Sequence, residues 1–204
     1  MRTLPEAWML LAMGPDGRFR AWWSHGAWYG LVGAALIELE RRGRVRFEGP
    51  RVLVADGTPT GEPALDGALA TLAASRPRSA SAWVAKLPYA APDLRLAAGR
   101  ALVARGEARE EPARFLRAAR FPPDARVVAA LRESVRAARD PEALALLALA
   151  DAVGWLSDFA SWRERRALRP RLGGGVVPSA VEDAIRAAND GAAVAALAAT
   201  YAGG

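Results

Sequence analysis

AWYGLVGAALIELERR, residues 27–42, is apolar at nearly every position as far as Ile37 and becomes charged only at its C-terminal end. Leu31, Ala35 and Leu39 recur at four-residue spacing, which places them on one side of a helix, and the positions between them are apolar as well. A helix that is hydrophobic nearly all round needs packing partners on every side. The stretch therefore predicts a helix buried at the centre of the fold.

Apolar residues at helical spacing continue on both sides of this stretch, and turn residues separate them. Residues 4–12 predict a short helix that ends at Gly14-Pro15-Asp16-Gly17. The later pattern predicts helices at residues 60–75 with Thr60 as the N-cap, and then at 79–87, 94–105, 124–139, 141–152, 159–168 and 178–200, the last with a break at 190–191. Residues 169–175 are predicted to form a loop.

Two places have the pattern of a β-hairpin. Gly43 ends the central helix, and residues 44–47 and 52–54 then flank a turn at 48–51. A second, weaker hairpin is predicted from residues 107–111 and 114–118. The predicted fold class is mostly α: one domain over residues 1–204, a helical bundle with a buried central helix, surrounding amphipathic helices and two short β-hairpins.

The charge of the chain favours an anionic partner. The 204 residues are 52% hydrophobic and 25% charged, which suits a packed interior, and the net charge is +6. Of the 28 basic residues, Lys86 alone is a lysine. Guanidinium groups bind phosphate and carboxylate through two parallel hydrogen bonds, so the candidate partners are nucleic acid, an acidic membrane or an acidic protein.

The composition also excludes several kinds of chemistry. There is no cysteine and a single histidine, His25, which excludes disulfides, thiolate catalysis and any metal site built from cysteines or several histidines. The segment Gly57-Thr58-Pro59-Thr60-Gly61 is not followed by the Lys-Ser or Lys-Thr of a phosphate loop. We therefore expect a binding protein rather than an enzyme, with no metal and no cofactor.

The sequence predicts a cytoplasmic protein that reaches a membrane from outside. The apolar run at residues 4–13 carries Glu6 and lacks a small-residue cleavage site. The longest apolar stretch, residues 143–156, is interrupted by Asp151 and is shorter than the roughly 18 residues of a membrane span.

The segment before the central helix combines arginines with large aromatics. Arg18 and Arg20 precede the adjacent tryptophans Trp22 and Trp23. Indole rings suit the headgroup layer of a membrane and guanidinium groups suit its phosphates. The alternative is that a tryptophan packs into the core and that the arginines are ordinary surface residues.

Two further arginines lie on the predicted helix at residues 94–105. Arg95 and Arg100 are five positions apart, so they point about 140° apart around the helix axis. We expect one of them to face a ligand while the other is solvated.

Several segments resemble one family when they are taken together. They occur in the order and at the spacing found in the Golgi phosphoprotein 3 family, and they span most of the chain. The matching segments are Leu4-Pro5-Glu6, Gly30-Leu31, Leu36-Ile37-Glu38-Leu39, Arg42-Gly43-Arg44-Val45, Thr58-Pro59-Thr60-Gly61, Leu65-Asp66, Arg76-Pro77, Trp83-Val84 and Leu102-Val103-Ala104-Arg105-Gly106. The resemblance implies a helical core ringed by amphipathic helices.

The resemblance also implies a function: a peripheral membrane adaptor with a shallow basic pocket for the headgroup of phosphatidylinositol 4-phosphate, and with the cytosolic tails of membrane proteins as further partners. The family builds this pocket from a tryptophan before the central helix, an arginine within that helix and two arginines at the start of a later helix. Trp23 matches the tryptophan and Arg95 matches the last arginine. On these grounds the predicted ligand-binding residues are Trp23, Arg95, Arg20, Arg18 and Arg100.

This sequence departs from the family pattern at two pocket positions. Val32 stands at the position of the central-helix arginine, and Pro92 at that of the first arginine of the later pair. A charge-assisted contact contributes roughly 1.5–3 kcal/mol, so both losses weaken headgroup binding unless other arginines compensate. The family's apolar membrane-inserting hairpin tip falls at residues 114–121, where Phe115, Leu116 and Phe121 stand among arginines.

Two other functions remain open at this point. The helix, glycine and hairpin order could belong to a winged-helix DNA-binding protein, although an all-apolar helix offers no polar side chains to base edges, which disfavours nucleic acid as the partner. The chain could also be a protein-interaction module that has lost lipid binding.

Overall fold

The computed structural model describes residues 2–19, 24–90, 93–113, 118–172 and 177–202. Within these ranges the chain forms nine α-helices and one three-stranded sheet, which confirms the predicted mostly α fold. The helices are α1 (Leu4–Ala12), α2 (Ser24–Arg41), α3 (Pro63–Ala73), α4 (Ala80–Ala90), α5 (Asp93–Ala104), α6 (Ala125–Ala137), α7 (Pro141–Ala152), α8 (Trp162–Leu172) and α9 (Ser179–Ala202). The strands are β1 (Val45–Glu48), β2 (Arg51–Val54) and β3 (Arg78–Ser79).

Helix α2 lies at the centre of the bundle, as its apolar sequence predicts. The large residues from Leu31 to Ile37 are all at most 1% exposed. Helices α1, α4 and α9 pack along it, and α3 and α7 also contact it. Because apolar neighbours surround this helix on every side, its burial supplies much of the hydrophobic stabilisation of the fold.

Small residues on α2 allow its neighbours to come very close. One edge of the Trp8 indole in α1 lies against Gly30, where a Cβ atom would overlap the ring. Its Nε1 donates a hydrogen bond of 2.9 Å to the carbonyl oxygen of Ala27. The ring of Trp155 stacks on Trp8 with centroids 5.2 Å apart and planes inclined by 7°. Three elements therefore meet at the N-terminal half of α2.

Helix α1 is held at its start by a buried carboxylate. The side chain of Glu6 is 1% exposed, and its Oε2 accepts a hydrogen bond of 2.7 Å from the backbone nitrogen of Thr3. The same carboxylate pairs with Arg105 at 2.5 Å, just beyond the end of α5. A buried carboxylate needs such partners to offset the loss of its hydration, so this pair joins α1 to α5.

The first predicted hairpin is confirmed and gains a third strand. Strands β1 and β2 pair antiparallel with Val45 opposite Val54 and Glu48 opposite Arg51. Gly49 in the turn has a φ of 55°, which glycine adopts without strain. Strand β3, which the sequence pattern did not predict, pairs with β2 through two residues only, too few to leave an alternation pattern.

The second predicted hairpin is reduced to two bridges, and its returning arm lies further along the chain. Ala108 pairs with Pro123 and Glu111 with Arg120, so the return falls at residues 120–123. Of the predicted arm at residues 114–118, only Ala118 is described, and it lies outside any strand. The prolines at positions 122 and 123 remove donors from the ladder and keep the pairing short.

The predicted start of α3 is wrong by two residues. The N-cap residue is Glu62, followed by Pro63. Thr60 instead donates hydrogen bonds to the carboxylate of Asp66 from its backbone nitrogen at 2.6 Å and its hydroxyl at 2.7 Å. The aspartate in the first turn thus competes successfully for the threonine hydroxyl.

The ends of α8 and the continuity of α9 also differ from prediction. Ser161 precedes α8, and its backbone nitrogen donates a hydrogen bond of 2.6 Å to the carboxylate of Glu164. The helix therefore begins at Trp162, three residues later than the predicted start at residue 159. The helix continues past Pro170 to the buried Leu172, so the loop predicted from residue 169 is wrong in its first part. Helix α9 passes through Asp190 and Gly191 without a break, because one exposed helical glycine costs only about 1 kcal/mol.

The contact between Trp8 and α2 predicts opposite effects for two Gly-to-Ala substitutions. Gly30→Ala places a methyl group inside the Trp8 ring and should lower the free energy of unfolding by about 1–3 kcal/mol. Gly67→Ala lies in α3 with open space around it and should raise the free energy by about 0.5–1 kcal/mol. Urea denaturation followed by circular dichroism measures both. Equal effects would contradict the packing described here.

Candidate anion-binding site

A surface pocket of about 340 Å³ lies beside the N-terminal ends of α2 and α5. Three of its lining side chains are arginines and two are aromatic. The lining residues are Gly17, Arg18, Phe19, Trp28, Arg95, Ala118, Ala119 and Arg120. Among these residues there is no carboxylate, so the pocket presents guanidinium groups beside an apolar wall.

Arg95 is less exposed than Arg18. It is half-buried, and its Nη2 donates a hydrogen bond of 2.7 Å to the carbonyl oxygen of Ala119. Its guanidinium group lies 5.4 Å from the ring centroid of Phe121. Burial lowers the pKa of Arg95 from its ordinary value, yet a guanidinium group stays charged at neutral pH. The pocket thus contains a partly desolvated positive charge.

The position of Arg95 depends on the buried ring beneath it. Phe121 is 0% exposed and lies on Gly99, where a Cβ atom would stand 2.5 Å from the ring. This burial corrects one expectation, because Phe121 was predicted to belong to an exposed apolar hairpin tip. Phe121 is instead a core residue, since the missing side chain at Gly99 leaves room for the ring against α5.

Arg18 reaches the pocket through a tight loop between α1 and α2. The backbone nitrogen of Gly14 donates a hydrogen bond of 2.8 Å to the carbonyl oxygen of Arg18. Gly17 has a φ of 72° and lies against the backbone of Phe121 and Pro122, where a side chain would clash. The loop at residues 14–19 is therefore pressed onto the segment at 118–122, and the two together carry Arg18 and Arg120.

The ion pairs of Arg18 and Arg120 are long. Nε of Arg18 stands 3.7 Å from the carboxylate of Asp16, and Nη1 of Arg120 stands 3.8 Å from that of Glu111. Both carboxylates are exposed, and pairs of this length contribute little to stability, so a bound anion can replace them at small cost. Phe19 meets Trp28 edge to face, with centroids 5.3 Å apart, and closes the apolar side.

The structure separates the predicted site residues into three groups. Arg18 and Arg95 line the pocket. Arg100 lies outside it and pairs with Glu110 at 3.3 Å, in keeping with the angle of about 140° between the two arginines of α5. Arg20 and Trp23 lie outside the described residues, as does Pro92. Val32 is 0% exposed inside the bundle, so it contributes nothing to this surface.

Two lining side chains were not predicted as ligand-binding. Trp28 was taken as part of the buried helix, although its place in the first turns of α2 leaves it partly exposed. Arg120 was taken as part of the membrane-inserting hairpin. The aromatic residue Phe19, which precedes the helix, is the sequence feature that could have indicated an aromatic partner at Trp28.

A larger cavity of about 770 Å³ lies at the opposite, C-terminal end of α2. Its charged lining is mixed, and its arginines already have partners: Arg42 contacts Glu38 at 2.9 Å, and Arg41 donates to the carbonyl oxygen of Pro141 at 3.4 Å. Desolvation, followed by the charges of Asp140 and Glu38, raises the pKa of Glu142 above its ordinary value. This cavity disfavours an anion.

In the described residues, no helix is both long enough and apolar enough to cross a bilayer. The fold and the pocket together define a helical protein with a small cationic surface site. The chain matches the family profile described as Golgi phosphoprotein 3 (GPP34) over residues 4–188. It therefore belongs to the Golgi phosphoprotein 3 family, as the resemblance indicated. No curated protein matches the chain significantly.

The raised pKa of Glu142 predicts a pH-dependent effect of Glu142→Gln. Above the raised pKa the folded protein bears an unfavourable charge, and this cost disappears as the pH falls through that pKa towards the ordinary value of 4.5. The variant should therefore gain stability relative to the parent at neutral pH, and the gain should vanish below about pH 4.

Urea denaturation at several pH values measures this difference. Glu133→Gln, at an exposed position paired with Arg136, is the control and should leave stability unchanged or slightly lower at neutral pH. A stability gain for Glu142→Gln that grew as the pH fell would contradict a raised pKa of Glu142 in the folded protein.

Proposed function

We propose that this protein is a peripheral membrane adaptor that binds the phosphorylated headgroup of an anionic lipid, of the phosphatidylinositol 4-phosphate type, in the pocket of Arg18, Arg95 and Arg120. The observation that carries the proposal is the partly buried guanidinium group of Arg95, which faces the pocket and has a carbonyl oxygen and a ring as its described partners. A desolvated charge without a carboxylate partner favours an anionic ligand.

The size and chemistry of the pocket fit one headgroup. Its volume of about 340 Å³ is at the small end of the range for small-molecule sites, about 300–1,000 Å³. Guanidinium groups suit phosphate oxygens, and the ring of Trp28 offers an apolar face to the carbon side of a sugar-like ring.

Arg18 and Arg120 can compensate for the two missing family arginines. Val32 is buried in the core and Pro92 has no charge, so neither can contact a phosphate. The loops at residues 14–19 and 118–122 bring two other guanidinium groups to the same pocket as Arg95. Contacts from these two groups, each contributing roughly 1.5–3 kcal/mol, would replace the two missing contacts and preserve headgroup affinity.

The lining of the pocket also supports binding over catalysis. It consists of arginines, aromatic rings, glycine and alanines, and among these residues no side chain can act as a nucleophile or general base at neutral pH. In this proposal the protein is cytoplasmic, attaches to the membrane surface from outside, and has tails of membrane proteins as further partners.

The burial of α2 favours lipid over DNA as the partner. The helix before the hairpin is enclosed by other helices along residues 31–37, so it cannot lie in a groove of DNA. The pocket also suits a single headgroup better than the repeated phosphates of a duplex.

Arg95→Gln should weaken binding to vesicles of phosphatidylcholine that contain phosphatidylinositol 4-phosphate by about tenfold or more, because one charge-assisted contact is lost. Arg100→Gln is the matched control: it removes the same charge from the same helix at an exposed position outside the pocket and should have little effect. Vesicle co-sedimentation at low salt measures both affinities.

Arg120→Gln provides a second test that leaves the hydrogen bond of Arg95 to Ala119 intact. It should weaken binding in the same direction. If the unaltered protein bound phosphoinositide vesicles and neutral vesicles equally at low salt, the proposal would be wrong. Binding to membrane-protein tails without any lipid binding would then favour an interaction module.

A further inference from the structure

Helix α8 carries an exposed tryptophan among arginines. Its sequence, WRERRALRPRL, begins with Trp162, whose exposed fraction is 65%. Among the residues whose side chains are described, it is the single large hydrophobic side chain that is exposed. Transfer of an exposed indole ring from water to an apolar layer is favourable, so Trp162 can contribute to binding together with the arginines around it.

The exposed side of α8 gathers the ring and three arginines. The buried side contains Leu168 and Leu172. At about 100° per residue, Trp162, Arg163, Arg166 and Arg169 fall within an arc of about 120° on the outer side. The guanidinium group of Arg166 lies 6.0 Å from the centroid of the Trp162 ring. We name these four residues the α8 face.

The one carboxylate of α8 does not neutralise this face. Glu164 points about 100° away from Arg163 and further from the other members of the α8 face. Its carboxylate accepts a hydrogen bond of 2.6 Å from the backbone nitrogen of Ser161, and its pKa is lowered by hydrogen bonds from Ser161. The α8 face is therefore aromatic and strongly cationic.

Helix α8 begins at the same end of the molecule as the arginine pocket. Trp155 packs against Gly26, two residues before the pocket residue Trp28. The 3-10 turn Leu156–Asp158 follows Trp155, and the start of α8 packs against this turn. Trp162 is thus connected through a short chain of contacts to the N-terminal end of α2.

The other end of α8 lies towards the opposite end of α2. Arg171 donates a hydrogen bond of 2.7 Å to the carbonyl oxygen of Ala138. That residue stands just before α7, whose first residue, Pro141, contacts Arg41 at the end of α2. Helix α2 is about 27 Å long, so the ring of Trp162 and the pocket share one end of the bundle while Arg171 is directed away from it.

We propose that the α8 face is a second membrane contact, which acts together with the arginine pocket. Trp162 enters the interfacial layer of the bilayer, and Arg163, Arg166 and Arg169 contact lipid phosphates around it. The proposal rests on the proposed function, because a headgroup in the pocket brings this end of the bundle to the membrane surface. Two contacts that engage one bilayer at the same time bind far more tightly than either alone.

The chemistry of the α8 face fits a bilayer better than a nucleic acid. Tryptophan is enriched at the membrane interface, where its ring meets both acyl chains and headgroups, and arginine attracts anionic lipid. Single-stranded nucleic acids bind in basic grooves lined by several stacking rings. The α8 face is the outer side of one surface helix and carries one ring.

Trp162→Ala tests the proposal on vesicles of phosphatidylcholine and phosphatidylserine without phosphoinositide, at low salt. The affinity should fall about tenfold. Arg166→Gln should lower it about fivefold, with an effect that fades at high salt. Arg139→Gln, an exposed arginine between α6 and α7 at the far end of the bundle, removes the same charge and should change the affinity little.

A soluble headgroup separates the two proposals. Calorimetry with glycerophosphoinositol 4-phosphate should show normal binding for Trp162→Ala and weakened binding for Arg95→Gln, because the soluble compound occupies the pocket and has no bilayer. If Trp162→Ala bound both kinds of vesicle as tightly as the parent protein, the α8 contact would be excluded and the pocket proposal would stand.

The pocket proposal can also fail while the α8 contact is supported. If the parent protein did not distinguish phosphatidylinositol 4-phosphate from phosphatidylserine at equal vesicle charge and did not bind the soluble headgroup, the pocket proposal would fail. A loss of vesicle binding in Trp162→Ala would then still support the α8 contact. Salt-sensitive binding of single-stranded RNA that Trp162→Ala abolishes, with vesicle binding unaltered, would identify a nucleic-acid surface and overturn it.

Discussion

The packing of the Trp8 indole on Gly30 is the contact on which the arrangement of the bundle depends. The missing side chain at Gly30 lets the ring reach the backbone of α2, and the hydrogen bond to Ala27 satisfies its nitrogen. Trp155 then stacks on the ring of Trp8 and brings the end of α7 to the same place. Because α8 begins directly after this point, one buried stack brings the start of α8 to the pocket end of the bundle.

The arginines of this chain serve two different purposes, and their partners distinguish them. At one place Arg2 and Arg105 share Glu107, at 2.9 and 3.5 Å, and Arg105 also meets the buried Glu6. These charges join α1 and α5 and are compensated within the fold. In the pocket, the described partners of the guanidinium groups are long ion pairs, a carbonyl oxygen and an aromatic ring, and on the α8 face Arg166 lies over the ring of Trp162. A positive surplus of this kind leaves electrostatic attraction available for an outside anion.

Sequence reasoning predicted the parts of the fold that local chemistry determines. Helix α2 follows from its uniform apolar character, and α7 follows from the apolar residues at helical spacing from Pro141 onwards. It named Arg18 and Arg95, which line the pocket, but not the other lining residues Trp28 and Arg120, because the positions of these two depend on contacts between segments far apart in the chain. Phe121 shows the same limit: its burial depends on Gly99, which no local pattern reveals.

The charges of this pocket come from loops to a greater extent than the family pattern implies. The central helix has the buried, uncharged Val32 at the position of the family's arginine. Arg18 and Arg120 lie on two irregular segments, which pack on each other where Gly17 contacts the backbone of Phe121 and Pro122. Helix-borne side chains are positioned by a rigid scaffold, whereas these two are positioned by the packing of one loop on another. The geometry of the site therefore depends on Gly17, although this residue has no side chain that could bind a phosphate. A side chain at position 17 would push the two loops apart and disrupt the pocket, as the loss of an arginine would. The charged residues alone therefore do not define this site.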